Sequence, residues 1–182
     1  DRMAARRLHG CAVLQFEGGP QGFPDPAGWR AETLAAFGTH DTPTLAGWWA
    51  GEDLDLRERL GHLSPGQAAD ERDARAQARA ALLRRLAAAG LLPPGLSPDA
   101  PPPAADAPLR DAVHALLGAS GSDLAALQLD DALGATQPQN VPGTVEEAPN
   151  WRRRHAVAPD ALARDETLAA AVRAMAASRA AP

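Results

Sequence analysis

The chain has 182 residues, which is enough for one ordinary domain, and a part of a larger fold is also possible on length alone. Its formal net charge is −5, without the basic stripe that binding to a phosphate backbone requires, so we expect no nucleic-acid partner. No apolar stretch approaches the roughly 20 residues of a membrane-spanning helix, and no charged start precedes an apolar leader region, so we expect no membrane partner.

The only cysteine, Cys11, lies inside the apolar run 11–16, CAVLQF. A thiol in such a run is typical of buried structural cysteines and not of nucleophiles. One cysteine allows no internal disulfide, which together with the lack of membrane signals predicts a cytoplasmic protein. The chain begins at Asp1 without methionine and runs at once into the helical-looking segment RMAARRL, so we expect a cut through a longer protein.

Short apolar runs in the first quarter of the chain predict two buried strands. The run 11–16 ends at the turn-rich stretch GGPQGFPDPAG, and the run 34–37 ends at Gly38 and the polar cluster 39–41. A helix is predicted to start at Thr44, because the next apolar residues have helical spacing and a proline stands near the first turn.

The rest of the chain alternates helical patterns with one further apolar run. A Pro/Ala-rich stretch in its middle cannot sustain a helix or a central strand and is interpreted as a surface excursion. In chain order the predicted elements are a helix at 70–89, the excursion at 92–108, a helix at 109–117, a buried strand at 123–129, a long irregular loop at 130–154 and a final helix at 159–177.

This order of strands and helices predicts an α/β fold with a parallel sheet. In such folds the loops that follow the strands converge on one face, where chemistry gathers. Asp41 and the loop that holds Asn140 both follow predicted strands, so both are candidates for a site.

The pair His40-Asp41 alone is weak evidence, because an HD dipeptide is more often a capping aspartate beside a surface histidine. Metal-dependent phosphohydrolases also use an HD pair, but they need further ligands at helical spacing. The other histidines are scattered without a ligand motif, so we expect no metal site.

The wider context is more specific. The segment Thr39 to Trp49, THDTPTLAGWW, resembles the end of barrel strand seven and the following helix in the amylomaltase family of 4-alpha-glucanotransferases. The segment Asn140 to Arg154, NVPGTVEEAPNWRRR, resembles the family's loop after strand eight. Val13 to Glu17, VLQFE, is a weaker match to strand six, and Leu82 to Pro93 is family-like without being diagnostic.

The resemblance implies that residues 1–182 are the C-terminal portion, about strands six to eight with their helices, of a (β/α)8 TIM barrel. It also implies a retaining transfer of maltodextrin segments to glucose or another glucan, without metal or organic cofactor. Asp41 matches the third catalytic carboxylate, and His40 matches a neighbouring histidine that contacts sugar. Asn140 can donate and accept hydrogen bonds to sugar hydroxyls, and Phe16 ends strand six where it would line the groove.

The nucleophilic aspartate and the acid/base glutamate of this family belong to strands four and five, and no motif in this chain supplies either one. The N-terminal part of the same enzyme is therefore an expected partner. Two alternatives remain: an α-amylase-like hydrolase, since that clan shares the third-acid His-Asp pair, and a non-catalytic glucan-binding remnant. We expect Trp48 and Trp49 to pack in the core.

Overall fold

The computed structural model describes residues 2–6, 8–19 and 21–179. Its three strands run parallel in the order β1 (Gly10–Val13), β2 (Thr33–Ala36) and β3 (Leu124–Ala125). The helices are α1 (Arg2–Ala5), α2 (Leu14–Glu17), α3 (Leu45–Ala50), α4 (Glu52–Arg59), α5 (Pro65–Ala88), α6 (Ala107–Gly118), α7 (Leu129–Leu133) and α8 (Glu166–Arg179), with 3-10 turns at Pro26–Gly28 and Leu162–Arg164.

The two faces of the sheet differ because side chains alternate along each strand. One face, which carries Ala35 and Phe37, packs into the main hydrophobic core with leucines of α5 and α6 and with Met175 of α8. The other face carries Cys11 and Leu34 and borders an open cleft of about 390 Å³. We call this second surface the inner face. A mixed α/β fold with a parallel sheet is therefore present, as the sequence predicts.

The strand predictions are confirmed in position but not in length. β1 stops at Val13 where the sequence predicted a strand to residue 16, because the chain turns into α2 and Gln15 N–H bonds to Phe37 O at 3.1 Å. β3 covers only Leu124–Ala125 of the predicted 123–129. The prediction of a buried thiol was wrong: Cys11 is exposed, because its side chain lies on the inner face.

The helix predictions hold, and side-chain caps explain where their bounds differ. α5 begins five residues before the predicted position 70, since Ser64 and Gln67 form a reciprocal capping box. α8 begins at Glu166 and not at 159, because the Asp165 side chain accepts from Leu168 N–H at 2.8 Å. The predicted irregular loop 130–154 contains most of the short helix α7.

The two adjacent tryptophans of α3 lie in the core, which confirms that prediction. Trp49 is fully buried, and its Nε1 donates to Pro102 O at 2.9 Å. Arg75 lies over the Trp48 ring at 4.8 Å and forms a nearly buried ion pair with Asp53 at 2.8 Å. In the part of the chain that the structure describes, no helix is long and apolar enough to cross a membrane.

We predict that the isolated chain self-associates, because an apolar inner face and two strand edges are available to other chains. Leu34→Asn on the inner face should reduce this association. The matched substitution Leu83→Asn should instead unfold the chain, because Leu83 is fully buried and the new amide would lack a partner. Light scattering and circular dichroism distinguish these effects. A monodisperse, cooperatively melting parent chain would contradict the prediction.

Candidate functional site

The loop after β2 is a compact turn that presents two adjacent polar side chains. Thr42 Oγ1 accepts from Thr39 N–H at 2.8 Å, and Asp41 N–H donates to Thr39 Oγ1 at 3.2 Å. A Cβ at Gly38 would collide with Thr42 Oγ1 and lie 2.7 Å from Gln15 Nε2, so a larger residue there would displace these two side chains. These bonds fix the backbone of His40 and Asp41 at the carboxyl end of the strand.

Asp41 is held from two sides and remains half-exposed. Asn140 Nδ2 donates to its Oδ1 at 2.7 Å, and His40 Nε2 lies 3.3 Å from its Oδ2. The structure thus brings together three of the four residues that the sequence marked as candidates. Each carboxylate oxygen therefore has a polar neighbour within the site, and the hydrogen bond from Asn140 orients the carboxylate.

The loop that carries Asn140 is organised by a second asparagine, which the sequence analysis did not identify. Asn150 Oδ1 accepts from Val141 N–H at 2.9 Å, and Asn150 Nδ2 donates to Thr144 Oγ1 at 2.8 Å. Thr144 Oγ1 in turn donates to Val141 O at 2.7 Å. These hydrogen bonds connect the two ends of the segment 141–150. In the sequence, the only sign of this network is the spacing of polar residues within the motif 140–154.

Helix α7 connects the two loops through a buried carboxylate. Asp131 is 1% exposed, and its Oδ1 accepts from Leu45 N–H at 2.6 Å, in the first turn of α3. Next to this bond, Gly47 approaches Thr136 O so closely that any side chain would collide with it. The start of α3, four residues after Asp41, is therefore fastened to the segment that leads to Asn140.

Burial raises the pKa of Asp131 to about 7, and the charge of Asp130 acts in the same direction, against the Leu45 hydrogen bond and the charge of Arg110. Asp130 itself is engaged by two neighbours. Gln139 Nε2 donates to its Oδ1 at 3.2 Å, and His155 Nδ1 lies 3.2 Å from the same atom. Sequence reasoning missed both carboxylates, since two adjacent acidic residues at the start of a polar loop usually lie on the surface.

Phe16, the fourth candidate, lies on the same edge of the sheet but is connected to the site only through its neighbour. Gln15 Nε2 donates to Pro43 O at 2.6 Å and so joins the segment after β1 to the loop after β2. The Phe16 side chain is 69% exposed. A large apolar side chain in that position is available for contact with a ligand or another segment.

Charged residues near the Asn140 loop form local contacts. Arg152 pairs with Glu146 at 3.6 Å. Glu147 accepts instead from the backbone amides of Val145 and Glu146, and these hydrogen bonds lower its pKa. Among the described residues, no group of three or more His, Cys, Asp or Glu side chains is arranged to hold a metal ion.

Comparison with known proteins identifies related sequences over nearly all of this chain. The sequence profile of a family described as 4-alpha-glucanotransferase matches residues 1–158. A 4-alpha-glucanotransferase of Mycobacterium tuberculosis is 42% identical over an alignment of 160 residues, which covers 84% of this chain and 21% of the relative. One from Haemophilus influenzae is 33% identical over 142 residues, which are 78% of this chain and 20% of the relative.

A solved structure agrees with these sequence matches. The crystal structure of amylomaltase from Corynebacterium glutamicum superposes with a TM-score of 0.83 at 31% identity, over 96% of this chain and 26% of that one. The chain therefore spans about a fifth of the length of the curated relatives that it matches.

The buried Asp131 predicts a pH-dependent stability. Because its folded pKa is raised above the ordinary 3.8, its contribution to stability falls as pH rises from about 4 to about 7. Asp131→Asn can still accept from Leu45 N–H but does not titrate. The unfolding free energy of this variant minus that of the parent should therefore increase by about 3 kcal/mol from pH 5 to pH 8.

This difference can be measured by urea unfolding of both proteins in the Leu34→Asn background. Burial lowers the pKa of His114 to about 4, so its contribution has the opposite pH dependence, but it is common to both proteins and cancels. An unfolding free-energy difference that is equal at the two pH values would mean that Asp131 does not titrate in this range.

Proposed function

The chain belongs to the 4-alpha-glucanotransferase family, and we propose that it forms the C-terminal part of that family's catalytic (β/α)8 barrel. On this proposal β1, β2 and β3 are strands six, seven and eight of the barrel. Residues 1–182 form one structural unit, and the segment 92–108 is a surface excursion within it. The remaining strands, in the N-terminal part of the same cytoplasmic enzyme, would cover the inner face. The helices on one face of the parallel sheet and the open cleft on the other support this assignment.

The proposed reaction transfers a segment of an α-1,4-glucan to the 4-hydroxyl of glucose or another glucan. A carboxylate attacks the anomeric carbon while a carboxylic acid protonates the leaving 4-oxygen, and a covalent glycosyl-enzyme forms. The acceptor hydroxyl then attacks the same carbon, giving its proton to the conjugate base of that acid. Both of these groups would come from the part of the enzyme that precedes this chain.

Asp41 would supply the third carboxylate. The transition state resembles an oxocarbenium ion, so a fixed anion beside the ring stabilises it more than it stabilises the uncharged substrate. The hydrogen bond from Asn140 and the adjacent His40 ring support this role, because a carboxylate that is already oriented needs little reorganisation during the reaction. Its free lone pairs can accept from sugar hydroxyls.

The three neighbouring candidates would bind the same sugar chain. His40 can share a sugar hydroxyl with Asp41, and Asn140 Oδ1 can accept from a further hydroxyl while Nδ2 holds the carboxylate. Phe16 would line the groove with its exposed ring. No metal or organic cofactor takes part in this mechanism.

The strongest support for this proposal is a contact between the two family-like segments. The hydrogen bond of 2.7 Å between Asn140 and Asp41 joins the two family-like motifs across 99 positions of the sequence. Each motif alone is a short pattern, whereas their meeting at the carboxyl ends of two parallel strands forms a polar site.

We expect the longer enzyme that contains this chain to convert maltotriose into longer maltodextrins and glucose. Asp41→Asn keeps the size and the hydrogen-bonding reach of the side chain but removes its charge, so kcat should fall by about a thousandfold or more. Chromatography of the products measures both activities. Shorter products alone would identify a hydrolase, and an unimpaired variant would contradict the role of Asp41.

Asn140→Ala should lower kcat/KM by about tenfold to a hundredfold, because it removes a hydrogen bond to a charged group. Val145→Ala in the same loop is the matched control, since Val145 is largely exposed and its side chain makes no polar contact. Equal effects of the two variants in the same maltotriose assay would mean that Asn140 acts only through the general structure of the loop.

A further inference from the structure

Trp151 has an unusual backbone conformation. Its φ is 59°, and no other non-glycine residue in the described ranges has a positive φ. Bulky side chains rarely adopt this left-handed region, and such residues persist only where the surrounding structure holds them. Strained residues of this kind cluster at functional sites, so an observed outlier is a reason to look for a role.

Hydrogen bonds on both sides of Trp151 maintain this conformation. Its own N–H donates to Gln139 O at 2.9 Å, next to Asn140. The preceding residue, Asn150, is held by the network that closes the loop, and Arg152 N–H donates to Pro149 O at 3.2 Å. The backbone is therefore turned so that the indole leaves the loop on the side of Asn140.

The direction of the indole brings it to the candidate site. Its ring lies 5.3 Å from the His40 ring, centroid to centroid, at an interplanar angle of 48°. His40 in turn lies beside Asp41 at 3.3 Å. Within this chain alone Trp151 is nevertheless 63% exposed, although a large aromatic side chain gains most by burial. One side of the Trp151 ring thus lies near His40, and the other residues of this chain leave most of the ring uncovered.

We propose that Trp151 is a stacking platform for a glucose unit of the glucan, adjacent to the unit held by Asp41 and His40. The hydrogens on the apolar face of a pyranose ring are attracted to the electron-rich face of an indole, and contact removes both surfaces from water. A rigid aromatic side chain performs this task with little loss of conformational entropy. This inference rests on the proposed function, because the ligand is the same sugar chain.

A platform next to the reacting unit has a defined kinetic consequence. It contacts the substrate equally in the ground state and the transition state, so it acts on KM and leaves kcat nearly unchanged. Its effect should depend on donor length, since only a longer donor supplies a glucose unit to cover the indole.

The test uses the longer enzyme that contains this chain, with Trp151→Phe and Trp151→Leu as a matched pair. Both new residues face the same strain at a positive φ, but only Phe keeps an aromatic face. With maltoheptaose as donor and glucose as acceptor, Trp151→Leu should raise KM by about three- to tenfold, and Trp151→Phe should stay close to the parent. With maltotriose the two variants should differ little.

The other results have distinct meanings. If the Phe and Leu variants raise KM equally, the proposed stacking role is wrong. The same holds if both lower the melting temperature equally and their kinetics do not depend on donor length, because Trp151 then packs against another segment of the enzyme. Unchanged kinetics in both variants would overturn it as well. If the parent enzyme itself elongates no maltodextrin, the proposed function fails first, whatever Trp151 does.

Discussion

Parallel pairing of β1, β2 and β3 is the constraint on which the site depends, because it brings the carboxyl ends of all three strands to one edge. A parallel connection must cross back over the sheet, and here the crossing helices cover a single face. The short segments that leave the strands are then free to approach one another. Asp41 and Asn140 meet because each follows a strand of this sheet.

The loops at that edge are held by polar contacts more than by apolar packing. Asp131 satisfies a backbone amide at the start of α3, and Gly47 allows Thr136 to approach the same helix. A buried carboxylate is unfavourable, as its raised pKa indicates, yet it joins two loops that share no regular secondary structure. Such anchors keep the half-exposed carboxylate of Asp41 oriented without enclosing it.

The difference between the two sheet faces relates the structure to the proposed barrel. The covered face packs against many leucine and tryptophan side chains, as in a domain core. Cys11 and Leu34 on the inner face are not part of that core. In a closed barrel the inner side chains fill the interior in layers. We propose that this chain contributes one charged group and part of the glucan groove, while bond making and breaking depend on groups that precede it.

Local patterns in the sequence determined the helices α3, α5, α6 and α8, the approximate strand positions and the candidate site residues, since period, caps and motifs act over a few residues. The positions where the strands end and where α5 and α8 begin depended on a few hydrogen bonds. The spacing of apolar residues in the sequence does not encode these bonds. Only the tertiary structure decided that Asn140 reaches Asp41, that Asp131 is buried under α3, and that Trp151 turns toward His40. These contacts join loops separated by long stretches of chain, so they exist only once the sheet has aligned the strands that carry them.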